Sequence, residues 1–277
     1  MGLDYTFIKA IESSNIKAYF TKRTPNMGGS ISGAKYIPRS WFVCSETLFV
    51  SKEGKVKAVI FDLGGTIIES VEPAEVFHEI FEAHGVHVSI EKIRAVHRKN
   101  RAELDADELA EQGVKYWDKW NERLLGKIGV NENREVLARR INEQLFDYAC
   151  LQVYPDAAET LGKLKLRKVK LGIVTNALEQ EIQKIFDKLG LKNAFDAAVG
   201  CDVCKKVKPS KEIFCYAFAK LHVQPENTIF VGDSVTYDYE GAQKVGMKPV
   251  LISRNGDPHD RVETIRSLSE ILRYVNR

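Results

Sequence analysis

The sequence predicts an α/β fold, a parallel sheet with helices packed on it and a helical bundle inserted after its first strand. Three observations lead there. Short, nearly all-apolar runs recur at 56–61, 169–174, 228–231 and 249–253, the pattern of strands buried on both faces of a parallel sheet. Helical segments lie between them, as right-handed crossover connections require. From about residue 70 to 152, however, the periodicity is helical throughout.

The bulk properties narrow the class further. A chain of 277 residues with 44% hydrophobic residues has room for a sizeable core in one large domain or two modest ones. A formal charge of +3 is too small to argue for nucleic acid or a membrane surface as partner. The sequence has no run of 18 apolar residues, so no transmembrane helix is expected, and the first 30 residues lack the apolar core of a signal peptide. Five scattered cysteines suit a reduced, cytoplasmic protein better than a disulfide framework. Cys201 and Cys204 form a lone CxxC; a zinc site needs two further ligands, so the pair reads as incidental.

Along the chain, residues 1–52 come first and differ from the rest. They hold seven Lys/Arg against three Asp/Glu, and the stretch NMGGSISGAK at 26–35 is loop chemistry. This segment is expected to be a non-catalytic extension, with the core assigned to 53–69 and 153–277. The first strand, 56–61, ends in Asp62. The bundle at 70–152 is expected to hold four helices. Pro73 opens one, with Val76, Phe77, Ile80 and Phe81 on a side; Ile90, Ile93 and Val96 mark the second. Tyr116, Trp117, Trp120, Leu124 and Leu125 mark the third, and Val136, Leu137, Ile141, Leu145 and Phe146 the fourth. Its position makes it a cap over the strand ends, with hinges expected near 68–72 and 152–156. Beyond it, helices are expected at 157–166, Glu179–Leu189, Lys211–Leu221 and 239–245.

In open α/β sheets, ligands bind beyond the carboxyl ends of the strands, and four segments there carry chemistry. Asp62 leaves a buried strand with its carboxylate toward the active end. Thr175 and Asn176 offer a hydroxyl, an amide and backbone N–H groups near a helix start, which suits an anion. Lys208 is a cation that can neutralise developing charge. Asp233 and Asp238 put hard oxygen ligands on a Gly-Asp-Ser loop, which suits Mg²⁺. Each alone is commonplace, since a strand-end Asp is often a helix cap and a Gly-Asp-Ser usually a turn. All four in order, each at a strand end or helix start, are not.

With those residues assembled, the sequence resembles the haloacid dehalogenase superfamily over about residues 56–256, with an α-helical cap inserted into a Rossmann-like core. The family pattern is a nucleophilic Asp in a DxDGT run, then a Thr or Ser, a Lys, and a GDxxxD-like acidic loop. It falls here on Asp62 with Gly65-Thr66, on Thr175, on Lys208, and on Gly232-Asp233 with Asp238. The resemblance implies that Asp62 attacks phosphorus to form an aspartyl-phosphate, while Thr175 and Lys208 hold the phosphoryl oxygens. It places Mg²⁺ on the Asp62 carboxylate, the Gly64 carbonyl and Asp233, with Asp238 supporting. The implied partner is a small phosphorylated molecule.

One position departs from the pattern. Family phosphatases carry an acid–base Asp two residues after the nucleophile, and Gly64 stands there. Glycine cannot move a proton, so a term of about 10²–10⁴-fold should be missing or supplied otherwise. Four readings stay open: a phosphatase slowed or rescued by another group; a 2-haloacid dehalogenase, a branch that also lacks this Asp; a phosphonatase-like enzyme using a cap lysine such as Lys92 or Lys99; and a phospholigand-binding protein without turnover. The cap itself offers a basic run, Arg94, Arg98, Lys99 and Arg101, expected to be a solvated face. Trp117 and Trp120 are expected in its core.

Overall fold

In the computed structural model, which describes residues 55–254, 256 and 262–275, the apolar runs form the middle of a sheet. The strands are β1 (Ala58–Phe61), β2 (Ile68–Glu69), β3 (Gln152–Val153), β4 (Lys170–Val174), β5 (Ala197–Val199), β6 (Thr228–Gly232), β7 (Lys248–Ile252) and β8 (Thr264–Ile265). Six of them make one sheet in the order β5-β4-β1-β6-β7-β8, every neighbouring pair parallel. β5 and β8 escape the sequence reading because three and two residues are too few to show a pattern. The extension assigned to residues 1–52 lies outside the described residues.

β1 explains why the sheet needs helices on both faces. All four of its side chains are fully buried, and they alternate as a strand must. Ala58 and Ile60 join the cluster containing Phe214, Phe218 and Leu221; Val59 and Phe61 join the one containing Leu161, Ile182 and Phe186. Each large side chain so buried contributes about 1.5–3 kcal/mol.

The helices are α1 (Pro73–Ala83), α2 (Ile90–Ala102), α3 (Ala106–Gln112), α4 (Val114–Ile128), α5 (Arg134–Tyr148), α6 (Pro155–Leu166), α7 (Glu179–Leu189), α8 (Cys201–Cys204), α9 (Lys211–Leu221), α10 (Glu240–Lys244) and α11 (Leu272–Val275). Five of these, α1 to α5, lie between β2 and β3, one more than the sequence pattern predicts. The extra helix, α3, buries only Leu109 and Ala110, too few apolar residues to register as a period. The Asp105 carboxylate caps it, accepting from the Glu108 N–H at 2.9 Å. α3 packs on α8, and Asp107 meets Lys206 at 3.0 Å. In α5 the buried residues are Leu137, Ala138 and Ile141, while Val136 is exposed. Trp120 is buried as expected.

Where the chain leaves the sheet and returns, the two crossings pair with each other. β2 and β3 are antiparallel, Ile68 opposite Val153 and Glu69 opposite Gln152, and the Tyr154 N–H extends the ribbon to the Ile67 carbonyl at 3.0 Å. The chain therefore enters and leaves the inserted helices through one narrow two-stranded ribbon. No helix among the described residues is long and apolar enough to cross a membrane.

The start of α7 is held by carboxylates. The Leu178 N–H donates to Glu181 at 2.7 Å and the Glu179 N–H to Asp202 at 2.8 Å, each satisfying an orphan donor of a helix start. Burial pushes the Glu181 carboxyl up to about 7. An acid whose folded pKa is raised stabilises the fold below its unfolded pKa and loses that contribution as pH rises through the folded value. Glu181→Gln is therefore expected to stabilise the protein by about 1 kcal/mol above neutrality and by nothing near pH ~4. Thermal unfolding across that range checks this; a pH-independent difference would contradict it.

Candidate active site

Because the sheet order runs outward from β1 in both directions, β1, β4 and β6 meet at a topological switch point, the usual place for a ligand crevice. Asp62 follows β1 directly, and its N–H is fixed to the Val231 carbonyl at 2.8 Å. The chain then folds into a tight loop: the Ile67 and Ile68 N–H groups return to the Leu63 carbonyl at 2.9 and 3.0 Å, and the Gly65 N–H to the Ile68 carbonyl at 2.8 Å. Gly65 has φ +71°, and a Cβ there would strike the Asp233 carboxylate; only glycine lets Asp233 lie this close to the loop.

Lys208 is the centre of the site. Its ammonium, 3% exposed, sits 2.5 Å from Asp62 Oδ1 and 2.6 Å from Asp238 Oδ1, with the Phe230 ring centroid 5.6 Å away. Burial alone would lower its pKa, but Asp62 and Asp238 outweigh that and raise it. Asp238 faces inward because the residues after β6 make one wide turn, Val235–Tyr239. The Tyr239 N–H reaches back to the Ser234 carbonyl at 3.1 Å, and the Ser234 N–H donates to Asp238 Oδ2 at 3.0 Å. The sequence assigned the Asp238 carboxylate a supporting place at a metal; here its oxygens accept from Lys208 and from the Ser234 N–H while it stays within the group of three carboxylates that could hold an ion.

Thr175 directly follows β4, buried, its N–H on the Val199 carbonyl at 3.1 Å. Its hydroxyl oxygen accepts from the Ala177 N–H at 3.3 Å. The Asn176 side chain, assigned to phosphate from the sequence, is instead turned to Lys208: Oδ1 accepts the Lys208 N–H at 2.7 Å and Nδ2 donates to the Lys208 carbonyl at 3.4 Å. It holds the backbone that carries the lysine.

The electrostatics leave an excess of negative charge. Burial, above all, raises the Asp62 pKa to about 6, against the lowering by Lys208. Asp233, at the solvent-facing rim, is raised by the protein packed around it and by Asp238. Asp62, Asp233 and Asp238 offer oxygens within 4.8 Å of one another, with the Gly64 carbonyl in the same loop. Hard oxygens with more charge than one ammonium can neutralise fit a divalent cation such as Mg²⁺. At Gly64 nothing lies within 4 Å of where a Cβ would be, so the place of the missing acid is open.

Other residues singled out from the sequence fall elsewhere. Arg94 is clamped by Glu72 at 2.8 Å, and Arg98, Lys99 and Arg101 are exposed. Cys201 and Cys204 are free thiols, pushed by burial to about 12 and about 11, so they stay protonated and unreactive near neutrality. One residue the sequence reading missed is Arg254, which donates from Nη2 to the Thr66 carbonyl at 2.6 Å. It lies two residues beyond the apolar strand β7, a signal like the one that marks Asp62 after β1.

A family model of haloacid dehalogenase-like hydrolases matches residues 56–246, and the chain belongs to that family. It is 25% identical to a glyceraldehyde 3-phosphate phosphatase of Methanocaldococcus jannaschii, over 79% of this chain and 97% of that protein. It is 29% identical to (S)-2-haloacid dehalogenase 4A of Burkholderia cepacia, over 78% of this chain and 93% of that one. The crystal structure of a haloacid dehalogenase-type phosphatase from Thermococcus onnurineus superposes with a TM-score of 0.56 at 28% identity, covering 79% of this chain and 97% of that one.

The raised carboxyls give a binding test that needs no substrate. Mg²⁺ is expected to raise the melting temperature at about pH 8, where Asp62 is ionised, and to lose this effect as pH falls through about 6, where the ion must displace a proton. Asp233→Asn should remove most of the shift. An equal shift at both pH values would argue against this site.

Proposed function

We propose that the chain is a Mg²⁺-dependent phosphatase acting on a small phosphate monoester through an aspartyl-phosphate on Asp62. The observation that carries this reading is the Asp62 carboxylate at the tip of the central strand, 2.5 Å from a buried ammonium and beside a second, solvent-facing carboxylate, Asp233. An Asp62 oxygen forms a bond to phosphorus as the ester P–O bond breaks, and water then cleaves the acyl-phosphate. Lys208 and Thr175, with the backbone N–H groups after β4, bind the phosphoryl oxygens. Asn176 keeps the lysine in place. Asp62, the Gly64 carbonyl and Asp233 would hold the Mg²⁺, with Asp238 acting through Lys208. The ion would supply positive charge to the phosphoryl oxygens.

The helices at 70–152 act as the cap over this site, and the ribbon of β2 and β3 is where they hinge. Relatives named phosphatases, among them a phosphoglycolate phosphatase of Aquifex aeolicus, support a small phosphorylated substrate.

A second reading, a 2-haloacid dehalogenase, is favoured by Gly64 and by relatives of that name. In it Asp62 would displace halide from carbon, chemistry that needs neither a proton donor nor a cation. The grouping of Asp233 with Asp62 and Asp238, three carboxylates with oxygens within 4.8 Å of one another, suits a bound cation and favours the phosphatase.

Assays with p-nitrophenyl phosphate and with 2-chloropropionate, each with and without Mg²⁺, separate the two. Mg²⁺-dependent release of p-nitrophenol, abolished in Asp62→Asn, is expected; halide release alone would reverse the order of the readings. Since the space at Gly64 is open, Gly64→Asp should fold normally. It should raise the rate on alkyl phosphates by roughly 10-fold or more, with little change on p-nitrophenyl phosphate, whose leaving group needs no proton. Equal effects on both would count against the missing-acid account.

A further inference from the structure

Arg254 joins three segments that the proposed chemistry must keep in register. Nη2 donates to the Thr66 carbonyl at 2.6 Å, in the loop that begins with Asp62. Nη1 reaches both oxygens of Asp156, at 3.1 and 3.2 Å, just after the chain returns from the inserted helices. The face of the guanidinium lies 3.5 Å from the centroid of the Tyr154 ring. Asp156 is in turn fixed by the Ser267 hydroxyl and the Leu268 N–H, both at 2.7 Å. Burial would raise the Asp156 pKa, but these donors and Arg254 hold it below the usual range. The neighbouring Tyr154 N–H bonds to the Ile67 carbonyl at 3.0 Å. Successive carbonyls of the nucleophile loop, at 66 and 67, are thus both held by the returning strand and by the guanidinium wedged against it.

We propose that Arg254 is a positioning residue for Asp62: with Asp156, it sets the nucleophile loop and the return crossing of the inserted helices as one unit. The proposal rests on the reading of Asp62 as nucleophile. The geometry needs a guanidinium. A planar fork can bond a carbonyl and a carboxylate while stacking on a ring, and an ammonium cannot do all three. Arg254 touches neither Asp62, Lys208 nor the space over Gly64, so its loss should be felt in the placement of the reacting atom and not in substrate binding.

The test is steady-state hydrolysis of p-nitrophenyl phosphate at saturating Mg²⁺ by Arg254→Met, Asp156→Asn and the double variant, with circular dichroism to confirm folding. Arg254→Lys, which keeps charge and most of the bulk, replaces the Met variant if that one unfolds. Misplacing a reacting group by about an ångström can lower a rate about 100-fold, so a fall in kcat of roughly 10- to 100-fold with KM changed less than about 2-fold is expected. The double variant should lose clearly less than the product of the two single losses, because the two residues share a contact. Unchanged kcat, a rise in KM alone, or additive losses would each overturn the proposal. Asp62→Asn is run alongside: full activity there defeats the underlying functional reading instead, so the two failures are distinguishable.

Discussion

The site depends on one buried ammonium. Lys208 sits between Asp62 and Asp238, nearly sealed from water, and none of the three charges would be tolerated there alone. Removing one partner from such a cluster leaves an uncompensated buried charge, typically a loss of about 3–5 kcal/mol. The surrounding structure is arranged to prevent this. Asn176 grips the lysine backbone from the end of β4, the wide turn after β6 delivers Asp238, and β1 delivers Asp62 from the middle of the sheet. Three strands that are adjacent in space but far apart in sequence thus converge on a single lysine. The fold places the chemistry, and the lysine in turn ties the strand ends together.

Opposite this tightly satisfied half lies an unsatisfied one. Asp233 faces solvent with its pKa raised, and Asp62 shares its negative charge with only one side of Lys208. The asymmetry gives the site two halves with different roles. A dry side fixes Asp62, and a wet side leaves Asp233 open to solvent. Gly64 belongs to the wet side. Its empty surroundings mean that the absent proton donor is a matter of composition, not of crowding.

Much of this is legible in the sequence, for identifiable reasons. β1, β4 and β6 are buried on both faces, so their apolar runs are unbroken, and the residues that end them stand out as polar. The helices α7 and α9 carry enough apolar residues at helical spacing for their limits to be read off directly. What cannot be read depends on the partner across space. Nothing local tells that the Asn176 amide bonds the lysine backbone, or that the Asp238 oxygens accept from Lys208 and the Ser234 N–H. α3 does not register because two buried residues make no period. Arg254 escapes notice because a lone arginine after a strand looks like any surface arginine until Thr66, Tyr154 and Asp156 are seen around it.

The pairing of β2 with β3 has an architectural consequence. Paired strands lie about 5 Å apart, so the two ends of the inserted helices emerge side by side from the sheet. To the sheet, roughly eighty residues behave as a single long hairpin loop whose closure is already met by backbone hydrogen bonds. Such a junction tolerates exchange of its contents. A different bundle, longer or shorter, could be grafted onto the same two stubs provided that it replaced the packing of α3 on α8 and the Asp107–Lys206 pair. A scaffold of this kind can acquire new substrates by replacing its roof while the hearth beneath stays as it was.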